Sequence, residues 1–209
     1  MPAIQIPENL CVAITRADDT TFGILHSRFH ERWSLRMCSW LGVGNDPRYT
    51  PTTCFETFPF PAGLSPADTA HQQTETLPDG AVIPVLTSTL VRTVAEKIAC
   101  AAHSLNELRE NWLNPPEWTQ RLPEVIPLGM TTTPYPDRIV AKLGHEKDLA
   151  ERTLTKLYNQ RPAWLDAAHK ALDTAVAAAY GWADYSAEMS DEEILKRLLA
   201  LNLHRAERT

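Results

Sequence analysis

Arg28, Arg32 and Arg36 recur every four residues within "FGILHSRFHERWSLRMCSW" (22–40). On a helix that spacing stacks them along one side, beside an apolar face of Phe22, Leu25, Phe29, Trp33, Met37 and Trp40. Guanidiniums in such a row can follow the phosphates of a duplex. They can equally face solvent or pair with carboxylates elsewhere in the protein. The next segment, "GVGNDPRYT" (42–50), is short, polar and glycine-bearing. Asn45, Asp46 and Arg48 carry side chains suited to base edges: Asn for adenine, Asp for the cytosine amine, Arg for guanine. A turn in which Asn45 or Asp46 bonds its own backbone uses the same residues. Spacing alone leaves both readings open.

Two other constellations have less chemical content. "NPPEW" (114–118) has the outline of the amino-methyltransferase loop, in which an Asn and a carbonyl accept from an exocyclic amine and an aromatic stacks on the flipped base. Here Glu117 occupies the stacking position. No glycine-rich strand-to-helix turn for a cofactor precedes it. The plainer reading is a helix C-terminus closed by two prolines. His26 and His30 share a helix face at i, i+4, but His30-Glu31-Arg32-Trp33-Ser34 is not H-E-x-x-H, and no third ligand suggests itself. Hydrogen bonding is the expected role of both.

Charge places any DNA-facing surface early in the chain. The net charge is −6, which disfavours a uniformly DNA-coating protein. Residues 1–62 hold 5 Lys+Arg against 6 Asp+Glu, while the remainder holds 15 against 20. Four scattered cysteines without a C-x-x-C pair fit reduced thiols in a cytoplasm. No apolar run approaches the roughly 18 residues that span a membrane, so no membrane partner is expected.

These residues need elements to position them. Residues 10–15, "LCVAIT", read as a buried strand that pairs with "TTCFETF" (52–58) or with sheet supplied from outside the chain. A helix is expected from Thr21 to Trp40, ended by Gly42 and Gly44. The proline-rich stretch 59–86 reads as irregular linker. Beyond it come a long helix over 87–113, with Leu90, Val94, Ile98, Ala101, Leu105, Leu108 and Trp112 inward, and a proline-rich loop over 114–136. Further helices are expected over Arg138–Tyr158, from Pro162 to a stop at Gly181, and from a Ser190/Glu193 capping box to near the end. The class is mainly α with a small β component: an α+β remnant over 1–62, a linker over 63–86 and an antiparallel helical bundle over 87–209. The first part should be marginal by itself, and the last should fold alone.

"FGILHSRFHERW" (22–33), "RYTPTTCFETFPFP" (48–61), "LYNQRPAWLDAAHKALDTAVAAAYGW" (157–182) and "MSDEEILKRLLALN" (189–202) carry a resemblance. Together they resemble the C-terminal part of large S-adenosylmethionine-dependent DNA methyltransferases related to MmeI-like type II restriction–modification enzymes. That resemblance implies the end of a target-recognition domain followed by a C-terminal helical domain. It implies double-stranded DNA and an upstream methyltransferase domain or subunit as partners. It also implies S-adenosylmethionine and adenine-N6 methylation in the parent enzyme, with no cofactor and no catalytic residue in these 209 residues. By position it directs sequence reading to Gly44, Asn45, Asp46 and Arg48, and strengthens the phosphate-tracking reading of Arg28, Arg32 and Arg36. The rival expectation is a helical docking module of a DNA-modification or defence complex that never touches DNA.

Overall fold

The computed structural model describes residues 12–44 and 46–207. It is mainly helical with three small antiparallel two-stranded sheets. It divides into two compact units. The larger comprises residues 14–105 with those from 167 onward, and the smaller comprises 106–166 with the described residues before 14.

In the larger unit, α1 (Asp19–His26) begins at Asp18, whose carboxylate accepts from the Thr21 amide and hydroxyl. The expected single helix over Thr21–Trp40 is broken at Ser27, which is extended, and α2 (Arg28–Met37) follows. Ser27 Oγ donates to the Ile24 carbonyl and satisfies the end of α1. Trp40 leaves the helical face and enters β1 (Ser39–Leu41), which pairs with β2 (Asp46–Arg48).

Three expectations fail here for local reasons. Val12–Thr15 form no strand, and Leu10 and Cys11 lie outside the described residues. Residues Pro51–Phe55 form a π-helical turn, closed by the Glu56 amide on the Pro51 carbonyl. Pro51 starts a helical turn readily, and burying Cys54 and Phe58 decides the matter against the Thr/Phe alternation. The 63–86 stretch is not a bare linker. It carries β3 (Thr74–Thr76) and β4 (Val82–Pro84), and Leu64, Ala81 and Ile83 are buried. The Val82 amide donates to Asp19, which ties this hairpin to the start of α1.

The core of this unit forms against α3 (Thr89–Leu113), which crosses into the smaller unit after Leu105. Its buried face is Ala95, Ile98, Ala99, Ala102 and Leu105, which keeps the expected Ile98 and Leu105 and fills the rest of the stripe with small residues. Leu90 is 77% exposed. The small residues let α1 approach closely: a Cβ on Gly23 would lie 2.8 Å from Ile98 Cγ2 and 2.9 Å from Ala102 Cβ. α6 (Ala163–Ala179) buries Leu172, Val176 and Ala177 and ends as expected. Gly181, at φ 75°, donates to Ala178 O while Trp182 donates to Ala177 O. The Ser190 hydroxyl caps α7 (Asp191–Ala206) through the Glu193 amide.

In the smaller unit the expected helix over Arg138–Tyr158 is replaced by β6 (Arg138–Ala141), α4 (Glu146–Ala150) and α5 (Leu154–Gln160). Its first residues pair with β5 (Thr119–Leu122), inside what read as a loop. Gly144, at φ 91°, turns the chain, and Thr153 caps α5 through the Lys156 amide. Among the described residues no helix is long and apolar enough to cross a membrane.

Candidate nucleic-acid interface

α2 carries the arginine stripe, and its inner face is fixed by aromatic packing. Phe29 sits among Tyr180, Trp182 and Tyr185, with ring centroids 5.2–5.6 Å away. Trp33 is buried and donates from Nε1 to Thr57 Oγ1. The N-terminus of α2 has no cap from its own Ser27. The Arg28 amide instead donates to the carboxylate of Asp173, from α6, at 2.8 Å.

The stripe divides into two classes of residue. Arg28 donates from Nε and one terminal nitrogen to Asp191 Oδ1 at 3.0 and 2.6 Å. Its terminal nitrogens also reach the carbonyls of Ala187 and Met189. Arg32 Nε lies 3.0 Å from Asp191 Oδ2, an ion pair without hydrogen-bond alignment. One carboxylate on the first residue of α7 thus bridges two arginines one turn apart. Arg36, in the last turn, is exposed with no carboxylate partner among the described residues. The internal pairing that spacing left open therefore holds for Arg28 and Arg32.

The β1–β2 hairpin follows α2 after one extended residue, Cys38. All six strand residues are exposed. Its register is Ser39 opposite Arg48, Trp40 opposite Pro47 and Leu41 opposite Asp46. Directly opposed residues share a face and neighbours alternate. Asp46, Arg48, Ser39 and Leu41 therefore lie on one face, and Trp40 and Pro47 on the other. At the tip, Gly44 donates to Leu41 O. Gly42 and Gly44 hold φ of 63° and 88°, values that side chains disfavour. Val43 is 95% exposed, and Asn45 lies outside the described residues. The hairpin thus presents a carboxylate and a guanidinium two residues apart, on a ribbon narrow enough for a major groove.

The far end of the hairpin returns to α2. His30 is buried; its Nδ1–H donates to Leu25 O, which leaves Nε2 to accept from the Tyr49 hydroxyl at 3.1 Å. Burial, reinforced by nearby His26, pushes the imidazole down to about 4, so it is neutral at pH 7. Burial likewise raises the Tyr49 phenol to about 12. The role expected for His30, hydrogen bonding, is what it performs. His26 stacks on Phe22 and contacts its carbonyl. Among the described residues no group of three or more His, Cys, Asp or Glu is placed to hold a metal.

"NPPEW" closes the end of α3. The Asn114 amide nitrogen donates back to Glu110, and the Trp118 backbone amide donates to Pro115 O. Trp118 stacks on His145, and Arg152 lies over both Trp112 and Trp118. An open cleft of about 300 Å³ lies between this helix end and β5, lined by polar residues including Glu110, Asn111, Gln120 and Arg121.

Sequence reasoning missed the residues that hold α2, Asp173 and Asp191, and those that hold the segment after the π-helical turn, Asn202 and Arg205, whose side chains donate to Thr57 O and Phe60 O. Asp191 lies in the first turn of a capped helix, where an acid is favoured on local grounds, so no local signal sets it apart. Trp40, expected on a buried helical face, is 51% exposed on the hairpin.

Comparison with protein families matches residues 1–62 to the model described as MmeI, target recognition domain. Among solved structures the chain is similar to the Type IIL restriction–modification enzyme MmeI in complex with DNA, at 15% identity and a TM-score of 0.49. That similarity covers 91% of this chain, which spans 17% of the other. Comparison with curated proteins gives no match. The matched residues, 1–62, include α1, α2 and the β1–β2 hairpin.

Proposed function

We propose that this chain supplies DNA target recognition for a type II restriction–modification methyltransferase. The β1–β2 ribbon enters the major groove. The observation that carries this reading is the placement of Asp46 and Arg48 on one face of an exposed two-stranded ribbon, inside the segment that matches a target-recognition domain. Asp46 accepts from a cytosine amine, and Arg48 donates to guanine O6 and N7. Gly44 lies at the tip, Asn45 is the next residue in the chain, and Arg36 contacts backbone phosphate at the groove edge.

Residues 1–62 are the reading part, 63–86 braces it, and 87–209 is the supporting C-terminal domain. S-adenosylmethionine and the catalytic residues belong to a methyltransferase domain acting alongside in the cytoplasm, whose product is N6-methyladenine. This chain contributes no catalytic group. In a second reading the smaller unit docks that domain. The exposed Leu122, Val125, Ile126, Leu128, Met130 and Leu143 favour this.

Selection of bound duplexes from a randomised pool tests the proposal. The chain should enrich a sequence containing G·C pairs. Arg48→Ala should lose about 1–3 kcal/mol of discrimination at one position. Arg36→Ala should weaken all duplexes alike and flatten the salt dependence by a slope of about one. An Arg48→Ala protein that enriches the unchanged sequence would rule out readout by the ribbon.

A further inference from the structure

Both ends of the hairpin attach to α2: β1 through the single residue Cys38, and the exit of β2 through Tyr49 on His30. The direction of the hairpin therefore follows that of α2. Phe29 and Trp33 bury α2, but apolar contact is non-directional and tolerates small rotations. The charged directional restraints on its N-terminal half are two carboxylates beyond residue 166, Asp173 on the Arg28 amide and Asp191 on the guanidiniums of Arg28 and Arg32, with the Ala187 and Met189 carbonyls also accepting from Arg28.

We propose that Asp191 is a positioning residue for DNA readout: by clamping Arg28 and Arg32 it sets the angle at which α2 presents the hairpin. This rests on the reading of the hairpin as the DNA-contacting element. The lever is long. Ten helical residues and a three-residue strand span roughly 25 Å, so a tilt of about 5° moves the tip by about 2 Å. Base-edge hydrogen bonds do not survive such a displacement. The same clamp withholds two guanidiniums from phosphate. Releasing it should therefore blunt discrimination while strengthening indiscriminate attraction to DNA, two effects that simple loss of a DNA contact does not produce together.

The test uses the whole 209-residue chain, a duplex selected as above and a scrambled duplex of equal length. Asp191→Asn should lower the ratio of selected to scrambled affinity by about tenfold. Its scrambled-duplex affinity at about 50 mM salt should equal or exceed wild type, with a salt dependence steeper by up to about two phosphate contacts. Arg32→Gln, at a half-exposed position, should lower the ratio without steepening the salt dependence. It decides the matter if circular dichroism shows Asp191→Asn to be unfolded. Ratios within about twofold of wild type, in a protein whose ratio still falls with Arg48→Ala, would overturn the clamp and leave the ribbon reading intact. A wild-type chain that selects nothing, or an unaffected Arg48→Ala, overturns both.

Discussion

The neutral imidazole of His30 joins the last turn of α1 to the exit of the hairpin, and its protonation has a defined cost. Its folded value of about 4 lies below the ordinary 6.5, so as pH falls the unfolded chain takes up the proton first. Its contribution to stability is complete above about pH 6.5, declines between 6.5 and 4, and falls no further once both forms are protonated. The full loss amounts to about 3 kcal/mol. His30→Gln removes this titration. Urea unfolding should therefore show the stability gap between wild type and variant narrowing by about 2–3 kcal/mol from pH 7.5 to pH 4. A gap constant with pH would mean that His30 is not held neutral. At this scale the sequence was partly legible: Arg28, Arg32 and Arg36 were correctly aligned on one side of a helix. Which of them pair internally depends on Asp191, more than 150 residues away, and no local pattern reports that.

Two glycines separate the demands of element geometry. Gly44 has open space around its missing Cβ, so Gly44→Ala meets only the conformational cost of φ 88°, about 1–2 kcal/mol. Because the hairpin is exposed, global stability should barely change, while DNA discrimination should fall. A thermal melt and a gel shift on the same sample distinguish these. Gly23 is the opposite case, since its α1 backbone rests on Ile98 and Ala102 of α3. Gly23→Ala overpacks that contact and should cost about 1–3 kcal/mol in urea unfolding. An unchanged midpoint would mean the helices separate freely. The helices with strong end signals were legible, such as α6 between Pro162 and Gly181 and α7 from Ser190. Residues 51–55 and 138–141 were not, because short segments of mixed propensity take the form their partners impose.

At the scale of the molecule, the recognition helices and the C-terminal helix belong to the same compact unit. α7 reaches back to Arg28, Arg32, Thr57 and Phe60, and Tyr180 donates to the Pro59 carbonyl. Removing residues from 190 onward should therefore unfold α1, α2 and the π-helical turn, with Tyr49 and Trp33 losing amide-exchange protection together. If the shortened chain kept native protection at 28–37, the C-terminal helix would be dispensable for the recognition region. The α1 backbone at Gly23 lies against Ile98 of α3 and Leu172 of α6, which ties the early helices to the late ones.

The amino-acid sequence was enough for the mainly helical class, the caps of the late helices and the residue types offered in the first 62 residues. These are local or compositional properties, carried by periodicity, capping chemistry and charge. Tertiary structure was needed to put Asp46 and Arg48 on one ribbon face, to expose Trp40 on the opposite face, and to pair two of the three arginines with Asp191. Strand register and ion pairing join residues distant along the chain. Their outcome depends on which groups the burial of the core brings within reach.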